Sequence, residues 1–247
     1  MTSIVTVEFD AIVSPMGPRP EGAVRRIKCD ITRSETWWRS LRLRDCPRHA
    51  PCYDPGWAKV NIIIGISGAS GSLYGVRLLE RLRATESVEL HLVWTRSGEK
   101  TLFLETGKHI AEIRALANHS YSPEDISARL ASGSYPVDAM VVAPCSIHTM
   151  SAIAHGITSN LLTRAADVTL KERRKLILMV RETPFHLGHL RSMTALAEMG
   201  AIIAPPIPGF YHHPQTVMDL VDHSLDRVLD LLGLPDAAIR RWQGAEQ

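Results

Sequence analysis

From Val60 onward, short apolar segments of strand length alternate with longer segments of helical periodicity. Residues 60–66 are almost continuously apolar, and residues 137–143 and 176–180 are also rich in valine, isoleucine and leucine. Strands buried on both faces have this character, and parallel strands need helical crossovers. The pattern predicts an α/β fold: a Rossmann-like, flavodoxin-type, doubly wound parallel sheet of five or more strands, with helices on both faces.

The strands also suggest an order within the sheet. Residues 88–94 alternate between apolar and polar, which favours an edge strand, while the first and third strands suit the centre. With 201–204 as the last strand, the order becomes 2-1-3-4-5, and ligands bind at the carboxyl ends of strands one and three. The predicted helices between them are roughly 97–117, 123–131, 148–155, 160–172, 188–199 and 214–232.

The chain divides near Lys59. Residues 1–58 contain six prolines and the pair Trp37 and Trp38, without a sustained hydrophobic period. Such a segment is hard to place in a compact core. We expect residues 1–58 to be a mobile or loosely docked extension, and residues 59–247 to be the domain that carries the chemistry.

Composition excludes several classes of function. The formal net charge is only +2, without a basic stripe, which argues against nucleic acid. No apolar run approaches the roughly 18 residues of a membrane helix, and the first twenty residues lack the features of a secretory signal, so we expect a cytoplasmic protein. The cysteines form no CxxC pair, and the paired histidines lack a carboxylate at ligand spacing, so we expect reduced thiols and no metal.

The segment after the first strand, residues 65–71, has the spacing GxxGxxG and leads into a helix. Small residues let the backbone approach an anion, and a helix N-terminus offers free N–H groups. The spacing is not the GxGxxG of dinucleotide domains, and no Gly-Lys-Ser/Thr follows. The motif favours a mononucleotide phosphate or a small anion, with a plain strand-to-helix turn as the alternative.

Polar side chains also follow the third strand. Ser146 and Thr149 supply hydroxyl groups and an N-cap at the predicted crevice. We interpret Cys145 as a small apolar filler beside a buried strand rather than as a nucleophile. His148 is equally consistent with a base and with a polar loop residue.

Charged residues follow the fourth strand and recur later in the chain. Arg181 is a candidate to grip a phosphate or flavin group, and Glu182 to move a proton, unless the two form an ordinary ion pair. The basic run 170–175 suits a helix end, and 205–214 is a stiff, proline-rich aromatic loop. Arg227 borders an apolar helix face, where a surface ion pair with Asp230 is the alternative to a binding role.

Five segments, taken in this order, resemble the UbiX-type flavin prenyltransferases. They are GISGASGSLYGVRLLERLR, ELHLVWTRS, VVAPCSIHTMSAIA, TRAADVTLKERRKLILMVRETPFHLGHL and PGFYHHPQTVMDLV. The resemblance covers nearly all of the chain from Lys59 to Gly244, and residues 1–58 inherit nothing from it.

The resemblance implies a flavodoxin-type subunit in a homododecamer built from trimers, with active sites at subunit contacts. It implies metal-independent transfer of a dimethylallyl group from dimethylallyl monophosphate to reduced FMN, bonding first at N5 and then at C6. The product would serve a UbiD-type decarboxylase. The residues that the resemblance assigns to FMN are Gly68, Ala69, Ser70, Thr95, Ser146, Ile147, His148, Thr149 and Arg181.

The remaining roles concern the prenyl phosphate and the chemistry. The resemblance assigns binding of the prenyl phosphate to Tyr211, Arg227, Lys171 and Glu105, with Glu105 reaching in from a neighbouring subunit. Catalytic roles fall to Glu182, Lys171 and Ser70, with Glu182 mediating proton transfer. Thr95 stands where serine is usual, and His148 stands where lysine, glycine or asparagine is common.

Two other functions compete with prenyl transfer. The flavin-dependent decarboxylases of peptidyl or pantothenoyl cysteine share the architecture and a Pro-x-Ser-x-x-Thr-like loop. A non-catalytic flavin-binding subunit of a hydroxyarylic acid decarboxylase complex is the second rival. The set of Lys171, Arg181, Glu182, Tyr211 and Arg227 favours prenyl transfer, because a cysteine substrate needs no such phosphate site, and a purely structural subunit needs no such charged residues.

Overall fold

A computed structural model describes residues 4–10, 26–32 and 59–234. The first two ranges are strands β1 (Ile4–Asp10) and β2 (Arg26–Thr32), which pair antiparallel from Ile4 opposite Thr32 to Asp10 opposite Arg26. The rest of residues 1–58 lies outside the described residues. The expectation that this extension is loosely ordered therefore stays a prediction.

The main sheet has six parallel strands in the order β5-β4-β3-β6-β7-β8. They are β3 (Val60–Ile66), β4 (Val88–Trp94), β5 (His119–Tyr121), β6 (Ala139–Cys145), β7 (Lys175–Val180) and β8 (Ile202–Ile203). The predicted fold class is confirmed, and the five predicted strands lie in the predicted order. The switch point falls between β3 and β6, as expected for this order.

The prediction that the second strand forms an edge was wrong, because β5 pairs outside β4. The polar residue that suggested an edge, His91, is completely buried. Its Nδ1 lies 3.0 Å from the hydroxyl of Tyr121 in β5, and its ring stacks on that of His119 at 4.9 Å between centroids. A buried polar side chain with hydrogen-bond partners is compatible with an interior strand.

Seven α-helices occur in the described part of the main domain. They are α1 (Ser72–Arg83), α2 (Arg96–Thr106), α3 (Ile110–Arg114), α4 (Ile147–Ala154), α5 (Leu161–Lys171), α6 (Leu187–Glu198) and α7 (Val217–Leu232). The predicted helix 97–117 is broken by Gly107, whose φ of 69° ends α2. The predicted helix 123–131 is only a 3-10 turn, Arg129–Ala131. Local hydrogen bonds such as Ser127 Oγ to Asp125, 2.7 Å, compete with a helix there.

The helices cover both faces of the sheet. Residues of β3 alternate between the faces, so Ile62 and Ile64 pack in the core formed with α1 and α7, while Ile63 packs in the core formed with α4, α5 and α6. Burial on both sides explains the unbroken apolar run of this strand. Within the described ranges, no helix has the length and apolar character needed to cross a bilayer.

Candidate active site at the carboxyl ends of the strands

The loops after β3 and β6 are joined by one buried side chain, that of Ser67. Its hydroxyl donates to the carbonyl of Pro144 at 2.8 Å and accepts from the backbone N–H of Ser146 at 2.7 Å. Because both partners are backbone groups, Ser67 fixes the spacing of the two loops at the switch point. Sequence reasoning missed this residue, although its position between a buried strand and the glycine-rich turn was visible.

A cleft of about 390 Å³ opens beside these loops. Its lining includes five of the predicted FMN contacts, which are Gly68, Thr95, Ser146, His148 and Thr149. The other lining residues are Arg96, Ser97, Pro123, Glu124 and Asn160. Three other predicted contacts flank it in sequence: Ala69 is buried, Ser70 is exposed and Ile147 is half-buried. The structure therefore brings most of the predicted flavin residues together.

Three helices begin at this cleft, and each has a side-chain cap. Thr95 accepts from the N–H of Gly98 at 3.0 Å, Ser146 from that of Thr149 at 3.2 Å, and Asn160 from that of Thr163 at 3.0 Å. The positive ends of α2, α4 and α5 therefore converge on one space, which favours an anionic ligand. Sequence reasoning missed Asn160, although an Asn before an apolar helical run is an N-cap signal.

Gly68 is required by packing within the chain. A Cβ atom at this position would collide with the side chain of Ser97 in the first turn of α2. The glycine-rich turn and α2 therefore approach each other closely, which brings Gly68 and Thr95 to the same cleft. The sequence motif had suggested close approach of an anion, or a plain strand-to-helix turn, and the contact with Ser97 adds a packing reason for the glycine.

An ion pair joins two sides of the cleft. Arg96, at the start of α2, contacts the carboxylate of Glu124 at 2.5 Å. Both side chains are largely exposed, so the pair contributes little to stability. Arg96 is the only arginine or lysine among the described residues that line the cleft.

Glu105, near the C-terminal end of α2, caps the N-terminus of α1. Its carboxylate accepts hydrogen bonds from the N–H groups of Gly71 at 3.0 Å and Ser72 at 2.8 Å, and from the side chain of Ser70. Burial opposes ionisation, but the hydrogen bonds outweigh it, and the pKa of Glu105 lies below its ordinary value. In the single chain the carboxylate therefore lies against its own α1, and the expectation that Glu105 reaches the site of a neighbouring subunit stays a prediction.

Arg181 and Glu182 follow β7 at the same end of the sheet. The N–H of Arg181 donates to the carbonyl of Cys145 at 3.0 Å, which extends the pairing with β6. Both side chains are exposed, and Glu182 accepts a hydrogen bond from the N–H of Thr183 at 3.0 Å. Among the ion pairs of the described residues, none joins Arg181 to Glu182, and the choice between a binding role and an ordinary pair stays a prediction.

Lys171 does not reach this end of the sheet. It is the last residue of α5, and β7 begins only afterwards, at Lys175, so Lys171 lies near the amino ends of the strands. There it forms an ion pair with Glu172 and lies close to Gly133. The structure therefore does not bring Lys171 to the cleft of its own chain.

Tyr211 and Arg227 line a second cavity, of about 620 Å³, between α7, β8 and the proline-rich loop. Arg227 forms an ion pair with Asp230 at 2.8 Å, which is the contact expected from their i,i+3 spacing. Its side chain remains 69% exposed, so this pair leaves the guanidinium accessible. Two of the four predicted substrate residues, Tyr211 and Arg227, are thus brought together, but in a cavity separate from the flavin cleft.

Cys145 packs in the core, and the described histidines form no metal cluster. Cys145 is completely buried, and burial raises the pKa of its thiol well above the usual value, which agrees with a packing role. Across residues 59–234 there is no group of three or more His, Cys, Asp or Glu side chains arranged to hold a metal ion.

Comparisons with known proteins identify the family. The Flavoprotein family matches residues 56–228. The chain is 55% identical to flavin prenyltransferase UbiX of Salmonella typhimurium over 186 residues, which are 74% of this chain and 98% of that protein. A dodecameric FMN-dependent UbiX-like decarboxylase from Escherichia coli O157:H7 gives a TM-score of 0.73 at 46% identity, covering 75% of this chain and all of that one. AnUbiX in complex with FMN and dimethylallyl pyrophosphate gives a TM-score of 0.74 at 41% identity, covering 76% of this chain and all of that one. The chain therefore belongs to the UbiX family of flavin prenyltransferases.

Proposed function

We propose that this chain transfers a dimethylallyl group from dimethylallyl monophosphate to reduced FMN, and so makes prenylated FMN. The observation that carries the proposal is the cleft at which the capped N-termini of α2, α4 and α5 converge. Their dipoles suit the phosphate of a mononucleotide, and their hydroxyl groups suit the polar edge of a flavin. Membership of the UbiX family supports the transfer reaction.

The reaction joins two substrates and expels phosphate. The allylic C–O bond breaks with its electron pair going to the phosphate, and flavin N5 forms a bond to the allylic carbon. The N5 proton leaves with the phosphate, and the flavin C6–H then adds across the alkene to close a fourth ring. The protein has to align N5 with the allylic carbon, neutralise the leaving group and move protons.

The residues divide these tasks. The cleft residues, together with Ala69, Ser70, Ile147 and Arg181, hold the flavin. Tyr211 and Arg227 hold the prenyl phosphate, since a phenol and a guanidinium both donate hydrogen bonds to phosphate oxygens. Glu182 moves the proton, which its exposed position at the end of β7 allows.

A complete site requires more than one copy of the chain. Lys171 lies at the amino ends of the strands, and the cavity of Tyr211 and Arg227 is separate from the flavin cleft. A homododecamer with sites at subunit contacts would unite these groups, and the E. coli relative described above is dodecameric. Light scattering of the purified protein at several concentrations tests the assembly.

The decisive test is anaerobic incubation of the purified protein with reduced FMN and dimethylallyl monophosphate, followed by mass analysis of the flavin. We expect a flavin heavier by one C5H8 unit, and release of inorganic phosphate in equal amount. Unchanged flavin would exclude prenyl transfer. Decarboxylation of a cysteine-containing peptide by the same preparation would establish the cysteine decarboxylase function instead.

Two further experiments identify the prenyl donor and the enzyme that receives the prenylated flavin. Dimethylallyl pyrophosphate, which accompanies FMN in the AnUbiX structure, is compared with the monophosphate at equal concentration, and we expect the monophosphate to react faster. The product serves a UbiD-type decarboxylase in the cytoplasm, as we propose. An inactive UbiD-type apoenzyme should gain decarboxylase activity when it receives the product of the reaction.

A further inference from the structure

The flavin cleft of about 390 Å³ has a guanidinium, that of Arg96, at its edge. Arg96 is the first residue of α2 and directly follows the cap Thr95. Its side chain is 81% exposed, so a ligand can reach it without any rearrangement of the core. FMN brings a phosphate that carries close to two negative charges at neutral pH. Because the described lining contains no other arginine or lysine, Arg96 is the side chain best suited to meet that charge.

The ion pair with Glu124 uses only part of this guanidinium. Nε of Arg96 donates to Oε1 of Glu124 at 2.5 Å. An arginine has five N–H donors, and the pair Nη1 and Nη2 forms a second edge of the planar group. Within residues 59–234, neither Nη1 nor Nη2 of Arg96 donates to another residue. Such an edge can donate to two oxygens of one phosphate at the same time.

Glu124 is held in place independently of Arg96. Its other oxygen, Oε2, accepts from the hydroxyl of Ser122 at 2.6 Å. The carbonyl of Pro123 accepts from the N–H of Leu161 at 2.8 Å, which ties this loop to the first residue of α5. Hydrogen bonds from Ser122 and from Arg96 lower the pKa of Glu124, so the carboxylate is ionised near neutral pH. Glu124 therefore orients Arg96 between the N-termini of α2 and α5.

This arrangement favours a phosphorylated flavin over a neutral one. A phosphate gains from the Nη edge of Arg96, whereas a flavin without a phosphate has no negative group to place there. Glu124 is a like charge beside the same space, and it opposes the phosphate without affecting a neutral ligand. The two residues therefore act in opposite directions on FMN, and neither acts on the charge of the flavin ring system.

We propose that Arg96 is a specificity-determining residue of the flavin cleft, whose Nη edge binds the phosphate of FMN while Nε stays on Glu124. This inference rests on the proposed function, which assigns the cleft to the flavin. Arg96 does not act on the reacting atoms in this proposal. It selects the mononucleotide over riboflavin, which is the same flavin without the phosphate.

The test measures flavin binding by three variants of the full-length protein and by the parent. Arg96→Gln removes the charge, and Glu124→Gln removes the carboxylate charge but keeps an oxygen that can accept from Nε. Lys100→Gln is the matched control, because Lys100 is an exposed cation on the same helix that does not line the cleft. Flavin fluorescence titrations with oxidised FMN and with riboflavin, at low and high salt, give each Kd without any turnover.

We expect Arg96→Gln to raise the Kd of FMN by roughly tenfold, which is the effect of losing a hydrogen bond to a charged group. The Kd of riboflavin should stay at the parental value. Glu124→Gln should lower the Kd of FMN by roughly two- to fivefold, since an exposed charge contributes modestly. Lys100→Gln should match the parent. Added salt should weaken FMN binding by the parent more than by Arg96→Gln, because salt screens the contact that the variant lacks.

Three results would overturn the inference. Parental affinity for FMN in Arg96→Gln would show that the guanidinium does not bind the phosphate. An equal loss for FMN and riboflavin in that variant would show that Arg96 shapes the cleft instead. A loss of FMN in Glu124→Gln as large as that in Arg96→Gln would show that the ion pair only supports the walls.

The proposed function fails separately. A parent protein that binds FMN through Arg96 but yields no prenylated flavin would overturn the transfer reaction and leave this inference standing. A parent that binds neither flavin would overturn both, because the cleft would then not be a flavin site.

Discussion

Two carboxylates at the carboxyl end of the sheet have different surroundings. Glu105 accepts hydrogen bonds from Ser70, Gly71 and Ser72, and its pKa is lowered, so it stays ionised near neutral pH. Glu182 is exposed and accepts a hydrogen bond from the N–H of the next residue. Hydrogen bonds to a carboxylate stabilise its charged form and make it a poorer proton donor. Glu105 is therefore held as a charged cap of α1, and Glu182 remains the carboxylate proposed for proton transfer.

Replacing Glu182 separates binding from proton transfer. Glu182→Gln keeps the shape of the side chain and a hydrogen-bond acceptor but removes the titratable group. We expect FMN to bind nearly as in the parent, while prenylated flavin forms more slowly by on the order of 10²-fold. Single-turnover mass analysis measures the rate, and Glu198→Gln, an exposed change at the end of α6, is the control. A parental rate in Glu182→Gln would remove the acid–base role.

Arg227 offers the complementary test on the prenyl phosphate. Arg227→Ala removes a guanidinium that is 69% exposed in the second cavity. The KM for the prenyl phosphate should rise by about tenfold or more, as for the loss of a charge-assisted hydrogen bond, with little change in the Kd of FMN. Steady-state kinetics at saturating reduced FMN measure it. The control is Arg83→Ala, at the C-terminal end of α1, because Arg83 lines neither cavity and its removal should leave both constants unchanged. A parental KM in Arg227→Ala would mean that Arg227 forms only a surface ion pair with Asp230.

Residues of the site differ in how far the sequence predicts them. Thr95 and Ser146 follow predicted strands directly, so their positions at the cleft follow from the parallel sheet. Ser67 is different, because its role depends on Pro144 and Ser146, which only the folded sheet places beside it. The position of Lys171 relative to the cleft also could not be predicted from a motif, since it depends on which end of the sheet the helix reaches.

At the scale of elements, long apolar runs were the most predictable features. β3, β6 and β7 occur close to where hydrophobicity places them, because burial on both faces requires a continuous apolar run. The short strand β5 lacks such a run and depends on its contacts with β4, including the hydrogen bond between His91 and Tyr121. Burial also lowers the pKa of His91, to about 4, so this contact involves a neutral imidazole at neutral pH. Such a pairing gives no periodic signal in the sequence.

Glu105 links two elements, because it belongs to α2 and caps α1. Its folded-state pKa is lowered, so its contribution to stability is present above the unfolded pKa and is lost as the pH falls through the folded value. Glu105→Gln should therefore have a lower midpoint of thermal unfolding than the parent at pH 7. The difference should shrink as the pH falls below about 4.3, the ordinary Glu value.

Calorimetry at several pH values measures this difference. Glu86→Gln, an exposed change after α1, serves as the control and should show little effect at any pH. A difference between parent and Glu105→Gln that persists unchanged into acid would mean that the carboxylate charge does not stabilise the N-terminus of α1.

At the scale of the whole molecule, the described residues of both cores and of the candidate cleft all lie between Val60 and Leu234. A shortened chain beginning at Ala58 should therefore fold, assemble and bind FMN with the affinity of the full chain. Size-exclusion chromatography with light scattering and a flavin titration measure these properties. Loss of flavin binding in a folded, assembled short form would show that residues 1–57 contribute to the site.

One active site is expected to draw its residues from several copies of the chain. Lys171 lies near the amino ends of the strands, while Glu182 lies at their carboxyl ends. If both act in one site, they must come from different copies of the chain. Lys171→Ala and Glu182→Gln should each lose activity when assembled alone, whereas co-expression should place an intact Lys171 from one chain beside an intact Glu182 from the other.

When the two variant chains are mixed at random in equal amounts, half of the sites receive an intact Lys171 and, independently, half receive an intact Glu182. About a quarter of the sites then hold both residues, so we expect about a quarter of the parental activity. Co-expression of Glu182→Gln with Glu182→Ala is the control and should restore none, because no site regains the carboxylate. Mass analysis of the flavin at equal protein concentration measures the recovery, and native mass spectrometry confirms that both chains occupy the same oligomers. If mixed oligomers form but remain inactive, Lys171 and Glu182 do not share a site between copies. Lys171 would then keep only the role that its position supports in the single chain, which is to end α5 with a positive charge paired with Glu172.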